Sequence, residues 1–245
     1  MQAHFISDLH LTVDRPALTA VFERYLAGRA RDADVLYILG DLYEYWAGDD
    51  DHDDPLNSAL AAQLARLADG GTRIHFMPGN RDFLIGADFA HRAHLEILPE
   101  PSLIHLGTQA VLLCHGDSLC TDDVAYQAFR GQVRTQAYQA QFLSQPLAAR
   151  KQFIAGIRQK SEAAKAVKSA EIMDANEEAI VALLRGHGYP ALVHGHTHRP
   201  AQHHVSVDGH TCERWVLADW RENEGKASGE VLVWADGMFS RQSLE

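Results

Sequence analysis

The sequence is poor in the features that mark secreted and membrane-spanning proteins. It has three cysteines, Cys114, Cys120 and Cys212, and no C-x-x-C pair among them. So sparse and odd a set excludes a disulfide framework and fits a reducing compartment. No apolar run approaches the roughly 18 residues of a membrane span. The opening MQAHFISDLH lacks a basic leader and a small-residue cleavage site, and Asp8 interrupts it early. Internal repeats, low-complexity tracts and Pro/Gly/Ser-rich linkers are also missing. These absences point to a cytoplasmic chain, and 245 residues suffice for one α/β domain, or for a domain carrying an insertion.

Positive charge is scarce as well. The formal net charge of −11 argues against nonspecific nucleic-acid binding, so no nucleic-acid partner is expected. The charge is uneven, however. Residues 130–170 hold Arg130, Arg134, Arg150, Lys151, Arg158, Lys160, Lys165 and Lys168 against Glu162 alone, a segment of +7 in a remainder of −18. The opposite pole is the acidic loop at 49–54, which reads equally as a solvated loop or as a support near a metal site.

What the chain does have is a regular alternation of elements. Short apolar runs at 4–6, 35–39, 74–77, 110–114 and 191–193 predict strands. Leu18, Val21, Phe22, Tyr25 and Leu26 at helical spacing predict a first helix, with Asp14 as its N-cap and Pro16 in its first turn. Leu56, Leu60, Leu64 and Leu67 predict a second, stopped by Gly70-Gly71. Residues 123–184 read as nearly continuous helix broken near Pro146. The C-terminal part reads as β, with runs at 203–207, 214–217 and 230–234 and turns at Asp208-Gly209 and Asp236-Gly237. One α/β domain over 1–245, interrupted by a helical insertion over 123–184, fits this order.

The polar residues fall where the apolar runs end. Asp8 and His10, Asp41, Asn80, His115, and His196 with His198 each follow one. In an open α/β sheet the C-terminal strand ends converge on one edge, where ligands bind. Mixed imidazole and carboxylate donors suit Mn, Fe or Zn better than Mg or Ca. Seven donors exceed what one tetrahedral ion takes and suit a binuclear centre, with Asp41 the natural bridge. D-x-H or G-D alone is weak evidence, since each also occurs as a cap or turn; the ordered set is specific.

Asp8-Leu9-His10, Gly40-Asp41, Gly79-Asn80-Arg81-Asp82, His115-Gly116-Asp117 and Gly195-His196-Thr197-His198 together resemble the calcineurin-like metallophosphoesterase family. The resemblance implies a two-sheet sandwich flanked by helices, the insertion forming a lid. It implies Asp8, His10, Asp41 and His198 around one ion, and Asp41, Asn80, His115 and His196 around the other. Where the family usually has a histidine that protonates the leaving oxygen, this chain has Arg81. An arginine keeps its proton near neutral pH and holds an anion instead.

The longer matches around these motifs, such as Gly79-Asn80-Arg81-Asp82-Phe83-Leu84 and His115-Gly116-Asp117-Ser118-Leu119-Cys120, resemble the branch of the family that hydrolyses UDP-2,3-diacylglucosamine in lipid A biosynthesis. That implies two Mn²⁺ per chain and a lipid-linked UDP-sugar as substrate. It further implies peripheral attachment to the cytoplasmic face of the inner membrane. A metal-bridging hydroxide would attack the α phosphorus, with Asp41, Asn80, Arg81 and His196 as catalytic residues. Substrate contacts would be Asn80, Arg81, Asp123, Ser161, Lys165, Lys168 and His196. The basic segment would face phosphates and anionic headgroups. Phe142, Leu143, Leu147, Phe153, Ile154 and Ile157 would line an acyl groove or form ordinary helix core. The rival readings are another nucleotide phosphodiesterase or pyrophosphatase of the family, and a scaffold without catalysis.

Overall fold

A computed structural model describes residues 1–165, 174–223 and 225–245, with the backbone alone over 159–165. In chain order the strands are β1 (Gln2–Ile6), β2 (Val35–Ile38), β3 (Arg73–Phe76), β4 (Glu96–Ile97), β5 (Ser102–Leu106), β6 (Gln109–Leu113), β7 (Ala191–His194), β8 (Ala201–Val207), β9 (His210–Val216), β10 (Arg221–Asn223), β11 (Lys226–Ala235) and β12 (Met238–Leu244). The helices are α1 (Pro16–Ala27), α2 (Pro55–Asp69), α3 (Ala87–Ala93), α4 (Val124–Val133), α5 (Gln136–Leu143), α6 (Leu147–Lys165) and α7 (Glu177–Gly186).

Two sheets form. One runs β10-β11-β1-β2-β3-β4 with β12 beside β11; the other runs β5-β6-β7-β9-β8. Side-chain parity explains why they pack face to face, since alternate residues of a strand leave opposite faces. Ala3 and Phe5, Val35 and Tyr37, Val111 and Leu113, Val193, Leu232 and Trp234 point between the sheets. Ile6, Leu36, Ile38, Val231 and Val233 point the other way, onto α1 and α2. Leu112 and Leu192 leave the second sheet outward and meet Ile180 and Leu184 of α7. Both faces of each central strand are therefore buried, which is why these strands read as unbroken apolar runs. Each such side chain contributes roughly 1.5–3 kcal/mol on burial.

β1, β2 and β3 are mutually parallel, as are β6, β7 and β9. Their C-terminal ends therefore lie on common edges, as the motif placement requires.

One local expectation is corrected. Asp14 does not cap α1; Arg15 holds that position without a side-chain cap bond, and Pro16 is at the first turn as expected. With no cap, α1 depends on its buried face of Leu18, Val21, Phe22, Tyr25 and Leu26. Asp54 does cap α2, accepting from Leu56 N at 2.9 Å and Asn57 N at 3.2 Å. The helical stretch 123–184 breaks near Pro146 as expected, between α5 and α6. Thr135 starts α5 and Asn176 starts α7, each accepting an amide of its first turn. The last of these helices packs on the second sheet.

Candidate metal centre

Beyond β1 and β2 the chain keeps its pairing. Asp8 N donates to Gly40 O at 3.1 Å, His10 N to Asp41 O at 2.9 Å and Leu11 N to Leu42 O at 3.0 Å. Within that ribbon Asp8, His10 and Asp41 have φ of 56°, 50° and 53°, and His196 and His198 have 67° and 55°. Left-handed backbone is uncommon outside glycine, and Asp and His tolerate it better than bulkier residues. The recurrence at five expected ligands marks where strain is concentrated at the site. The approach of the loops is close. A Cβ on Gly195 would lie 2.3 Å from Asp8 Oδ2, and one on Gly79 would lie 2.2 Å from Asp41 Oδ1.

The expected ligands are brought together. Asp8 Oδ2 accepts from Ser7 Oγ at 2.6 Å and from the His196 N–H at 2.8 Å. Its other oxygen is buried without a hydrogen-bond partner and lies 3.3 Å from His198 Nε2. His10 Nε2 faces His198 Nε2 at 3.4 Å. Asp41 Oδ1 is 3.7 Å from His115 Nε2, and Asp41 Oδ2 is 3.9 Å from His10 Nε2. Asn80 Oδ1 is 3.0 Å from His115 Nε2, and the His196 ring meets that of His115 edge-on, centroids 5.1 Å apart. His115 Nδ1 lies 2.8 Å from Leu39 O and so carries the proton there. Its Nε2 faces the oxygens of Asn80 and Asp41 and can take up a proton or a cation between them.

Electron pairs meeting at the floor of a polar cleft call for a cation, and these residues fit one. Asp8, His10 and His198 form one group able to hold an ion; Asp8, Asp41 and His115 form another. Asp8 belongs to both, a sharing expected of Asp41 alone. The electrostatics agree. Burial acts to lower the pKa of His115, yet the charges of Asp41, Asp8, Asp117 and Glu100 raise it to about 9. A proton there stands in for a metal ion. Burial pushes Asp8 up, but His198, His115 and His10 hold it well below the usual carboxylate range. Burial, and then the charge of His115, lowers His196 to about 4, which leaves its imidazole neutral.

Residues 1–200 match the family model described as calcineurin-like phosphoesterase. The chain belongs to that family. It is 58% identical to a UDP-2,3-diacylglucosamine hydrolase of Aromatoleum aromaticum, over 91% of each chain. It is 48% identical to proteins of the same name from Stenotrophomonas maltophilia, covering 100% of this chain and 99% of that one, and from Escherichia coli, covering 97% of each. As a calcineurin-like phosphoesterase it is a metal-dependent hydrolase that binds divalent metal.

The phosphoesterase site rests on residues to which the sequence assigned no role in holding the ligand loops. Asp82, fully buried, accepts from Gly79 N at 2.8 Å, Asp41 N at 3.2 Å and Leu42 N at 2.7 Å. Glu100 accepts the His115 N–H at 2.8 Å, and Arg130 joins Glu100 to Asp117 at 2.6 Å and 2.9 Å. Tyr126 Oη donates to Asp117 Oδ2 at 2.5 Å, and Arg134 donates to Gly79 O at 2.8 Å. Helix α4 thus braces the ligand loops after β3 and β6. Asp219 stands 3.4 Å from His198 Nδ1. Asp82 and Asp117 each close a recognised motif, which was the available signal; Asp219 and Glu100 belong to none.

The expectation of a free basic face is overturned for the residues whose side chains are described. Arg150 is 1% exposed and donates to Ala47 O at 2.6 Å and Gln145 O at 2.9 Å, and it pairs with Asp50. Lys151 pairs with Asp51 at 2.6 Å and Arg158 with Glu44 at 2.8 Å. The acidic loop is therefore a support. Its Asp49 accepts from Gly86 N, Asp88 N and Phe89 N at the start of α3, at 3.0, 3.1 and 3.0 Å.

Among the expected substrate contacts, Asp123 caps α4, its Oδ1 accepting from Tyr126 N at 3.1 Å. Lys168 and the side chains of Ser161 and Lys165 lie outside the described residues. Asn80 and Arg81 stand between two clefts. One is polar and holds His10, Asp41, His196 and His198. The other is largely apolar and lies under α4–α6, lined in part by Phe83, Phe129, Phe142, Phe153, Ile154 and Ile157. Leu143 and Leu147 are not among its walls.

Proposed function

We propose that this phosphoesterase hydrolyses the pyrophosphate of UDP-2,3-diacylglucosamine to UMP and 2,3-diacylglucosamine 1-phosphate, with two Mn²⁺ as its ions. The observation that carries the reading is the wall shared by two unlike clefts. Glu44, Asn80 and Arg81 border both the polar cleft of the metal centre and the apolar cleft beneath the helices. Such a pair of clefts suits a substrate with a charged pyrophosphate next to acyl chains. The names of relatives at 58% and 48% identity support the same substrate.

Asp8, His10, Asp41 and His198 would hold one ion, and Asp41, Asn80, His115 and His196 the other, with Asp8 within reach of both. Bound there, divalent ions supply Lewis acidity and make a water acidic enough to act as nucleophile near neutral pH. Asn80, Arg81 and His196 orient the phosphoryl oxygens and offset their growing charge. Arg81 retains its proton throughout. That suits a departing sugar phosphate, which is already an anion. The helices α4–α6 would act as a lid on a single domain spanning 1–245, with Asp123, Ser161, Lys165 and Lys168 as further substrate contacts.

Peripheral attachment to the inner face of the membrane belongs to the same proposal. Its support is apolar exposure on α4–α6, at Val124, Phe129, Leu143 and Phe153, rather than the basic cluster. No helix among the described residues is long and apolar enough to cross a membrane. The deciding experiment is a Mn²⁺-dependent assay with product identification, comparing UDP-2,3-diacylglucosamine with a soluble dinucleoside polyphosphate. Turnover of the lipid substrate is expected; turnover of the soluble one alone would refute the assignment.

A further inference from the structure

Glu44 lies three positions beyond Asp41 on the ribbon that carries the first ligands. Its amide donates to Leu11 O at 3.0 Å, and Tyr43 beside it bridges Leu11, so its backbone is fixed relative to His10. The residue is 7% exposed, and three nitrogen-bearing side chains surround its carboxylate. His10 Nδ1 is 3.2 Å from Oε2. Arg158 Nη2 is 2.8 Å and Arg81 Nη1 3.7 Å from Oε1. The Arg158 guanidinium also lies over the Tyr45 ring, 5.6 Å from its centroid. One buried anion therefore touches a candidate metal ligand, the arginine of the Gly79-Asn80-Arg81-Asp82 loop, and the helix that covers the site.

We infer that Glu44 is a positioning residue that orients His10 for metal binding and at the same time holds Arg81 and Arg158 at the border of the two clefts. The chemistry follows from the two ring nitrogens of histidine. A carboxylate 3.2 Å from Nδ1 favours the proton there and leaves the Nε2 lone pair aimed at His198 and Asp41, and such partners tune metal affinity. On its other oxygen, Glu44 offsets two guanidinium charges that would otherwise repel each other. It fixes α6 to the metal centre across a sequence gap that no local motif spans. Metal affinity and substrate affinity are thereby linked through a side chain that need touch neither metal nor substrate.

The inference rests on His10 being a metal ligand, so His10→Ala is the reference variant. Mn²⁺ affinity is measured by equilibrium dialysis, and kcat and KM are measured on UDP-2,3-diacylglucosamine, for wild type, His10→Ala, Glu44→Gln and Glu44→Asp. Glu44→Gln should weaken Mn²⁺ binding about tenfold and raise KM. Glu44→Asp, which keeps the charge, should recover most of the metal affinity. A merely structural carboxylate would lower the melting temperature and leave the Mn²⁺ dissociation constant unchanged, which would overturn the inference. So would a Glu44→Asp variant no better than Glu44→Gln. Unaltered Mn²⁺ binding by His10→Ala would instead remove the metal-centre reading beneath it. Should Glu44→Gln fail to fold, Glu44→Ala takes its place, and a Mn²⁺ dissociation constant equal to that of wild type overturns the inference in the same way.

Discussion

The carboxylate of Asp82 accepts the backbone N–H of Asp41 at 3.2 Å, which fixes the loop after β3 to the loop after β2. The same side chain takes the amides of Gly79 and Leu42 at 2.8 Å and 2.7 Å. Burial, and then the neighbouring charge of Asp41, raises its pKa to about 6. Tyr43 N also donates to it, at 3.4 Å, so removing it leaves four buried amides without this acceptor, at about 1–3 kcal/mol each. Asp82→Ala should therefore lose on the order of 3 kcal/mol or more in urea unfolding, together with part of its bound metal. Asp82→Asn retains an acceptor and should lose less. Wild-type stability and metal content in Asp82→Ala would show that the loops are held by other means.

Arg150 should matter for folding rather than for membrane contact. It is buried against the acidic loop, with Asp50 half-open to solvent as its partner. Screening at Asp50 reduces the cost of breaking the pair below that of a fully buried one, to about 2 kcal/mol. Arg150→Met should show that loss in chemical denaturation and should expose α5–α6 to protease. Its binding to anionic vesicles should match wild type.

His4 gives a pH dependence of known sign. It is buried in the first sheet with Nδ1 2.9 Å from Tyr25 Oη. Burial lowers its pKa to about 4, with Asp32 opposing and Arg29 assisting. The unfolded chain binds that proton near 6.5, so below this value the unfolded state takes up more protons and stability falls as the pH falls. Between pH 7 and pH 5 the loss from this group is about 2 kcal/mol. A His4→Gln variant should show a correspondingly flatter stability curve over that interval. A curve of unchanged slope would mean that His4 is not the group responsible.

The metal centre was legible because its donors end short apolar runs, and parallel strands bring such ends together whatever the loops between them do. The supports were not, because their partners are remote in sequence. Helix α3 has no cap of its own; Asp49 accepts its first amides from 37 to 40 residues away. Arg158 meets Glu44 across 114 residues. The basic run read as an open face because its charges were considered without the acidic loop at 49–54, and the two charge runs are complementary. Asp14 was expected as a cap on residue type, yet the helix starts one residue later without a side-chain bond.

Arg81 in place of the family's usual histidine should be felt in kcat. Arg81→Ala removes a charge-stabilising donor, and losses for one such donor are on the order of 10²-fold. Arg81→His should not recover the rate fully, because an imidazole offers less to a leaving group that needs no proton. Full recovery by histidine would mean that the leaving oxygen is protonated after all.

Hydrolysis of UDP-2,3-diacylglucosamine in ¹⁸O-labelled water, with mass analysis of both products, tests the central claim most directly. With attack at the phosphorus bonded to uridine and Arg81 serving an anionic leaving group, the label should appear in UMP, and turnover should cease on chelation and return with Mn²⁺. Label in 2,3-diacylglucosamine 1-phosphate, or turnover that survives chelation, would contradict the account.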